Sequence, residues 1–367
     1  MGVSARSRTG ATAPRTRSRR AGPRSPYVQH EDQEPAHREH APGTTQDLAD
    51  THMRRGVPDA APGHAVPEAP VPRRVAVVTG AARGVGAALA RALAARGLAV
   101  ALLGRELATL EAVARELPVP TCSLEVDVTD EPALRGAADC VRDRLGPASV
   151  VVANAGIAAA GPFAHTDAAL WDRVIAVNLT GSAATARVFL PHLLATRGHF
   201  LQVASTASFG SAPMMSAYCA SKAGVESFAQ ALRNETAPAG VTVGIAYLHW
   251  TGTGMIEDLD RNPVLRALRA HQPAFAARVH PPEQVAAWLT RSIARRTPTV
   301  YAPPWLRFLQ PLRPVFPYAV SFVSRRALAR LAPADLAREA GVLGPGGRAD
   351  WGAEDRGPAR PVTPPHT

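Results

Sequence analysis

Short apolar runs alternate with longer amphipathic stretches between residues 74 and 302 of the chain. The apolar runs are rich in Val, Ala and Leu, and they predict strands at 74–78, 98–103, 123–128, 149–156, 198–205, 241–248 and 299–302. The stretches between them predict helices near 105–117, 131–145, 167–196 and 283–296, together with a helix that contains Lys222. Strands that are apolar on both faces and separated by helices are typical of a parallel sheet covered on two sides. The pattern therefore predicts one doubly wound, three-layer α/β domain of the Rossmann type over residues 73–302.

The regions on either side of this domain have a different composition. Residues 1–72 are rich in Arg, Pro, Ser, His and Gly without an apolar period, which predicts a disordered tail. Residues 303–330 hold five arginines, no acid and an apolar side made of Trp305, Phe308, Leu309, Leu312, Phe316 and Phe322. We expect a helical, amphipathic extension over 303–340, whose apolar side packs on the domain or a sister subunit, or lies on a membrane surface. Gly and Pro return beyond residue 340, which predicts a second disordered tail over 341–367.

Composition narrows the range of partners. The formal net charge is +11, but the arginines are scattered and aromatic residues make up only 5% of the chain, which disfavours nucleic-acid binding. The three cysteines, Cys122, Cys140 and Cys219, have the spacing of neither a metal site nor a disulfide framework. We therefore expect a cytoplasmic protein without a bound metal. Residues 303–330 could contact a membrane surface, and we separately expect a homodimer or homotetramer.

A glycine-rich turn follows the first predicted strand. Residues 79–86 read TGAARGVG, which places Gly80, Gly84 and Gly86 between an apolar strand and a helix. Such a turn brings backbone amides and a helix N-terminus close to a pyrophosphate, so it indicates a dinucleotide site. The second strand ends in Leu103-Gly104-Arg105, without the acid that holds the ribose of NAD. Because Arg105 and Arg83 suit an additional phosphate, the sequence favours NADP over NAD, unless both arginines are merely solvated.

A tyrosine and a lysine lie one helical turn apart in the stretch AYCASKAGVESF. Tyr218 and Lys222 share a helix face, and Lys222 is the only lysine among the 41 Lys and Arg residues of the chain. Lysine carries a compact charge with an adjustable pKa, whereas arginine spreads its charge over a planar group. The lone lysine is either an accident of composition or a position that arginine cannot fill.

The motifs together resemble those of the short-chain dehydrogenase/reductase family, in its single-domain form, over about residues 73–302. The matching segments are TGAARGVG (79–86), DVTD (127–130), ANAG (153–156), VNLTG (177–181), VAS (203–205) and YCASK (218–222). They occur in the order that the family shows. The resemblance implies a Rossmann fold and an NAD(P)-dependent oxidoreductase that interconverts a ketone or aldehyde and an alcohol.

The resemblance also implies a catalytic set. Tyr218 would be the general acid or base, and Ser205 would stabilise charge on the substrate oxygen. Lys222 would lower the pKa of Tyr218 and bind the nicotinamide ribose, and Asn178 would hold a water that relays protons. Taken singly, these residues also fit structural roles, such as a strand-end cap for Ser205.

Further residues complete the implied cofactor site. Asp127 would contact the adenine, although it could instead cap the next helix, and Asn154 would support the sheet near the ribose. Thr253 would contact the nicotinamide carboxamide. The remaining members of the implied cofactor-binding set are Val85, Val128, Ala155 and Gly156.

One segment departs from the family pattern. After the sixth strand the chain has Leu248-His249 where the family usually has Pro-Gly. His249 is either a polar group near the substrate or a surface residue. Residues 254–280 should form a lid, and its apolar members favour an apolar substrate; they are Met255, Ile256, Leu259, Leu265, Leu268 and Phe275. The alternative function is a nucleotide-binding regulator or scaffold that has kept the fold without turnover.

Overall fold

The computed structural model describes residues 74–330 and 341–351. Within residues 74–330, seven parallel strands form one sheet in the order β3-β2-β1-β4-β6-β7-β8. The strands are β1 (Val75–Thr79), β2 (Ala99–Gly104), β3 (Thr121–Glu125), β4 (Ala148–Ala153), β6 (His199–Ser205), β7 (Thr242–Leu248) and β8 (Thr299–Ala302). The predicted doubly wound parallel sheet is confirmed, and the predicted strands lie within a few residues of the observed ones.

Helices cover both faces of this sheet, and further helices form the lid and the C-terminal extension. They are α1 (Gly84–Ala94), α2 (Leu107–Arg115), α3 (Glu131–Leu145), α4 (Ala168–Ile175), α5 (Gly181–Thr196), α6 (Ser216–Thr236), α7 (Gly254–Arg261), α8 (Pro263–Ala270), α9 (Ala274–Ala277), α10 (Pro282–Arg295) and α11 (Phe316–Leu328). One apolar cluster joins the sheet to α3, α5 and α6, and another joins its opposite face to α1, α2 and α10. The central strands are buried on both sides, which explains why their sequences are continuously apolar.

The predicted helix over 167–196 is interrupted. A π-helical turn, Ala176–Thr180, separates α4 from α5 and contains Asn178. By length and hydropathy alone, the stretch Ala168–Thr196 could cross a membrane, but 56% of its most apolar window is buried within the protein. Single π-turns inside helices are frequent at functional sites.

The C-terminal extension is helical and packs on the domain. A 3₁₀ helix, Pro304–Val315, leads directly into α11. Arg313 of this extension forms an ion pair with the buried Glu226 of α6 and donates to the Ser208 backbone oxygen at 2.8 Å. Phe316 lies against Phe209, with ring centroids 6.3 Å apart. The sequence left open whether the extension packs on the domain, on a sister subunit or on a membrane surface. Its inner side packs on the domain.

The prediction of disorder beyond residue 340 is wrong for residues 341–351. Strand β9 (Gly341–Leu343) pairs antiparallel with a short strand β5 (Ala158–Ala160) that follows β4, and a helix α12 (Gly344–Asp350) comes next. The backbone amide of Gly344 donates to Asp258 at 2.7 Å, and Arg348 pairs with the same carboxylate. These contacts with the lid order a segment whose Gly and Pro content suggested none. The predicted tails over 1–72 and 352–367, and residues 331–340, lie outside the described residues.

Candidate active site

A large cavity lies at the carboxyl ends of β1, β4, β6 and β7. Its volume is about 1230 Å³, and it is bounded by the lid (α7–α9), the C-terminal extension and residues 343–347. In doubly wound sheets this edge, beside the point where the strand order reverses, is where ligands bind. The cavity walls include Gly80, Arg83, Gly84, Val85, Gly86, Arg105, Asp127, Val128, Asn154, Ala155, Gly156, Ser205, Tyr218, Lys222 and Thr253. The structure thus brings together the predicted site residues, and Asn178 lies just behind the wall.

The glycine turn between β1 and α1 has the shape that a dinucleotide requires. Gly80 has a φ of +64°, a conformation that residues with side chains rarely adopt. A Cβ atom on Gly86 would lie 2.1 Å from the Gly80 oxygen, so the close approach of helix and turn tolerates no side chain. The turn therefore leaves backbone amides open at the N-terminus of α1, where a phosphate group binds well. These residues fit a pyrophosphate.

Asn154 and Thr79 fix the ends of β4 and β1 to each other. The side-chain amide of Asn154 donates to the Thr79 oxygen at 2.9 Å and to the Gly80 oxygen at 3.2 Å. In return, the Thr79 hydroxyl accepts from the backbone amides of Asn154 and Ala155, both at 3.1 Å. This bonding holds the glycine turn at a fixed position above the sheet.

The sequence analysis did not identify Glu106, an acid at one end of the cleft. We call this end, which consists of Arg83, Arg105, Glu106 and Asp127, the distal end. Glu106 directly follows the stretch in which no acid was found, and it forms an ion pair with Arg83 of the glycine turn. Both side chains are about one-third exposed, at 39% and 32%. The missing acid was one reason to favour NADP, so that reason is weaker than the sequence suggested. Extending the search by one residue past Arg105 would have found it.

The Asp127 carboxylate is held by hydrogen bonds and ion pairs from neighbouring side chains and backbone, and it does not cap a helix. Its carboxylate accepts from the Thr129 amide at 2.9 Å and pairs with Arg173 at 2.5 Å, while Arg105 lies 3.8 Å away. Burial opposes ionisation, but the bonds from Thr129 and Arg173 outweigh it and lower the pKa of Asp127. The cap of α3 is Asp130, which accepts from the Ala133 amide, so the alternative capping role of Asp127 is wrong.

The opposite end of the cleft, the catalytic end (Asn178, Ser205, Tyr218 and Lys222), is enclosed. The Lys222 side chain is only 5% exposed, and its Nζ donates to the Val203 oxygen at 3.2 Å. Nζ lies 5.7 Å from the centroid of the Tyr218 ring, as expected for residues one turn apart on α6. Burial lowers the pKa of Lys222 to about 8. Lysine here is a buried group with an adjusted pKa, not a solvated surface residue.

Ser205 ends β6 and faces Tyr218. Its hydroxyl oxygen accepts from the Ala207 amide at 3.1 Å, which leaves the hydroxyl proton to be donated elsewhere. Burial raises the pKa of Tyr218, and the hydrogen bond from Ser205 acts in the opposite direction. The family resemblance implied that Lys222 lowers this pKa, but in this structure burial of the phenol is the largest influence on it and raises it. Tyr218 is therefore protonated at neutral pH and can act as an acid.

Asn178 occupies the π-helical turn and is fully buried. Its side chain accepts from the Ile157 amide at 2.8 Å and donates to the Ile157 oxygen and the Ser221 hydroxyl, both at 2.9 Å. With its amide group engaged in this way, the side chain fixes the start of β5 against α6. The water that Asn178 is expected to hold stays a prediction.

His249 joins the floor of the cavity to the lid. Its Nε2 donates to the Ala276 oxygen of α9 at 2.7 Å, and its Nδ1 accepts from the Thr206 hydroxyl at 2.9 Å. Burial lowers its pKa to about 4, so the ring is neutral at physiological pH. His249 lines the cavity and is not a surface residue. Thr253, four residues later, is the N-cap residue of α7 and lies against the glycine turn, with its methyl group 3.2 Å from a Cβ placed on Gly84.

The remaining walls of the cavity near Tyr218 are apolar. Tyr218 packs against a cluster that combines residues of β5, the lid and β9, and these include Ala158, Leu259, Leu265 and Leu343. The lid residues Met255, Ile256 and Phe275 also line the cavity, as do Leu306, Leu309, Phe316 and Val320 of the extension. Two arginines of the lid, Arg261 and Arg269, are paired with Asp258 and Asp260 respectively. A proton donor therefore faces a largely apolar chamber.

The chain matches the family model described as short chain dehydrogenase over residues 74–263. It is 36% identical to a cis-4-hydroxycyclohexanecarboxylate dehydrogenase of Sinomonas cyclohexanicum over 58% of this chain and 86% of the relative. It is also 35% identical to a glycine betaine reductase of Emericella nidulans, but that match covers 60% of this chain and only 18% of the relative.

Solved structures agree with this assignment. A short-chain type dehydrogenase/reductase from Mycobacterium marinum superposes with a TM-score of 0.58 at 25% identity, covering 62% of this chain and 93% of that one. A metagenomic short-chain oxidoreductase in complex with NADP superposes with a TM-score of 0.52 at 28% identity, covering 62% and 96%. The chain belongs to the short-chain dehydrogenase/reductase family and is an oxidoreductase of this NAD(P)-dependent family.

Proposed function

We propose that this protein uses NADPH to reduce apolar ketones or aldehydes, or oxidises the corresponding alcohols in the reverse direction. The observation that carries the proposal is the Tyr218 phenol, which lies with Ser205 in the cavity wall and faces a chamber with apolar walls. A relative named for a hydroxyl group on a cyclohexane ring, which also carries a carboxylate, supports a cyclic alcohol or ketone as the reacting part of the substrate.

The residues divide the work of the reaction. A carbonyl oxygen placed between Ser205 and Tyr218 accepts a hydrogen bond from the serine and the proton of the phenol. The cofactor, when bound, supplies the hydride to the carbonyl carbon. The phenolate that results lies beside the Lys222 side chain, whose positive charge stabilises it. The apolar lid excludes water from these groups, which strengthens each of these interactions.

The choice of NADPH is supported by Arg83 and Arg105, which line the distal end. A solved relative in complex with NADP is consistent with it. Glu106 favours NAD instead, because a carboxylate can accept hydrogen bonds from the ribose of NAD. We assign the preference to NADPH because three cations (Arg83, Arg105 and Arg173) and two acids (Glu106 and Asp127) leave a net positive charge at this end.

The experiment follows NADPH oxidation with a panel of cyclic ketones, aryl ketones and long-chain aldehydes, for the wild type and for Tyr218→Phe. We expect turnover in the wild type and a loss on the order of a thousandfold in the variant, as for removal of a positioned acid. Tyr301→Phe is the matched control, because Tyr301 is a partly buried tyrosine of β8 away from the cavity. NADPH binding without turnover across the whole panel would instead support the nucleotide-binding scaffold.

A further inference from the structure

Exposed apolar side chains are concentrated on one side of the C-terminal extension. In the described part of the chain ten large apolar side chains are exposed, and six of them lie between residues 308 and 323. Tyr318, Phe322 and Phe308 are 78%, 70% and 66% exposed. We call this surface the outer face; it consists of Phe308, Leu312, Val315, Tyr318, Phe322 and Val323, with the neighbouring Arg307, Arg325 and Arg326. Patches of this kind on an otherwise polar surface mark binding sites.

The outer face is held outward by contacts on the opposite side of the same segment. Arg313 is fixed by the carboxylate of the buried Glu226, and its guanidinium lies 5.0 Å from the centroid of the Phe209 ring. Phe316 and Leu306 point inward and line the cavity. Turning the outer face inward would break these contacts and leave the Glu226 charge buried without its partner, which is strongly unfavourable.

The charge of the segment is entirely positive. Residues 303–330 contain five arginines and no acid. Arg313 is used inside the protein, whereas Arg307, Arg325 and Arg326 are exposed beside the aromatic residues. The Arg307 guanidinium lies 4.7 Å from the centroid of the Phe308 ring. Aromatic and aliphatic side chains bordered by arginines are the composition of helices that lie in a membrane interface.

We propose that the outer face binds the surface of a membrane that contains anionic lipids. Phe308, Tyr318 and Phe322 would enter the boundary between headgroups and acyl chains, and the arginines would pair with lipid phosphates. A second copy of this chain is a poorer occupant. In a two-fold dimer the same patch meets itself, which would bring arginines together in a segment without acids.

Membrane binding by the outer face would also place the cavity beside the bilayer. The role of this placement in substrate entry rests on the proposed function. Ala319 and Val323 are exposed and also line the cavity, so the helix α11 separates the outer face from the apolar chamber by its own width. An apolar substrate dissolved in the bilayer would reach the chamber beside this helix. Membrane binding itself does not depend on turnover, so the two can fail separately.

The test measures binding of the full-length protein to sedimented vesicles of phosphatidylcholine, with and without phosphatidylglycerol. We expect Phe308→Ser/Tyr318→Ser/Phe322→Ser to weaken binding to the anionic vesicles on the order of a hundredfold. The matched control is Phe163→Ser/Leu194→Ser, which removes two apolar side chains that are 73% and 43% exposed elsewhere on the domain. The control should change binding by less than about threefold.

A second pair of variants separates the charge from the apolar contact. Arg325→Gln/Arg326→Gln should weaken binding to anionic vesicles roughly thirtyfold, since each arginine near such a surface contributes about 1 kcal/mol. Arg291→Gln/Arg295→Gln removes the same charge from exposed positions on α10 and should have little effect. Thermal unfolding and NADPH binding should be unchanged in all four variants, because the altered side chains are exposed.

Three results would overturn the proposal. The first is wild-type binding that the two outer-face variants leave unchanged, because some other part of the chain would then bind the vesicles. The second is the absence of binding to either vesicle. The third is a dimer that the triple serine variant dissociates in sedimentation equilibrium while vesicle binding persists, because the outer face would then be a contact between two copies.

Discussion

The two ends of the cleft are held in place by different forces. At the catalytic end, Lys222 and Asn178 are almost fully buried and bond to backbone atoms of the sheet and its loops. At the distal end, Arg83 and Glu106 hold each other through charged side chains that are partly open to water. Backbone partners move only if the fold moves, whereas exposed ion pairs contribute about 1 kcal/mol or less and rearrange easily. The chemistry is therefore fixed by the fold, and the cofactor preference by side chains that can be exchanged.

The most direct test of the catalytic end is Lys222→Arg, which keeps the positive charge. We expect kcat to fall by about a hundredfold or more, because a guanidinium cannot occupy the space beside Tyr218 and Gly156. Nζ already lies 3.5 Å from a Cβ placed on Gly156. Since the site is buried, the larger group should also lower the free energy of unfolding by roughly 1–3 kcal/mol. Both quantities are measured, by turnover and by thermal or chemical unfolding.

Near-normal turnover in Lys222→Arg would mean that any cation suffices at the catalytic end. Arg233→Lys on the same helix is the control, since Arg233 lies outside the cavity and donates to the Val243 oxygen. The control should leave turnover unchanged.

The pH dependence of the wild type tests the same lysine without a mutation. Burial disfavours the ammonium form and lowers the pKa of Lys222 to about 8, so the charge is present below this pH and is lost above it. Burial raises the pKa of Tyr218, so the phenol keeps its proton over the same range. We expect kcat/KM for ketone reduction to be level up to about pH 8 and then to fall about tenfold per pH unit.

The residual activity of Lys222→Arg supplies the control for this profile. Arginine keeps its charge throughout this range, so the fall above pH 8 should disappear in the variant. A fall that persists in the variant would assign the titration to another group.

Contacts within one helix could be predicted from the sequence, whereas contacts between distant segments could not. The pairing of Tyr218 with Lys222 follows from a spacing of four residues on one helix, so it was visible in the sequence. The pairing of β5 with β9 joins residues more than 180 positions apart, and neither Ala158–Ala160 nor Gly341–Leu343 has a strand pattern. The position of His249 likewise depends on where α9 packs, and Arg83 meets Glu106 only because the glycine turn lies beside the end of β2. Such contacts are set by tertiary packing, which local patterns do not encode.

The distal end is tested first by Arg105→Asp. The change removes one cation and adds an acid at the end of β2, where an acid favours the ribose of NAD. We expect the ratio of kcat/KM for NADPH to that for NADH to fall at least about tenfold, while kcat with the better cofactor stays within about threefold. Arg115→Asp is the control, because Arg115 is an exposed arginine on the neighbouring α2 outside the cavity. An unchanged ratio would show that Arg105 does not contact the additional phosphate.

The smallest expected effect comes from Glu106→Gln, which has nearly the shape of glutamate but no charge. Glu106 now neutralises Arg83, so its loss should free that guanidinium for a phosphate and raise the NADPH to NADH ratio about threefold. Because the pair is partly exposed, added salt should already screen it in the wild type, and the difference between wild type and variant should shrink at high ionic strength. The free energy of unfolding should change by less than about 0.5 kcal/mol. A fall in the ratio would mean that the carboxylate itself helps to hold NADPH, and a loss of kcat would mean that the two ends of the cleft are coupled after all.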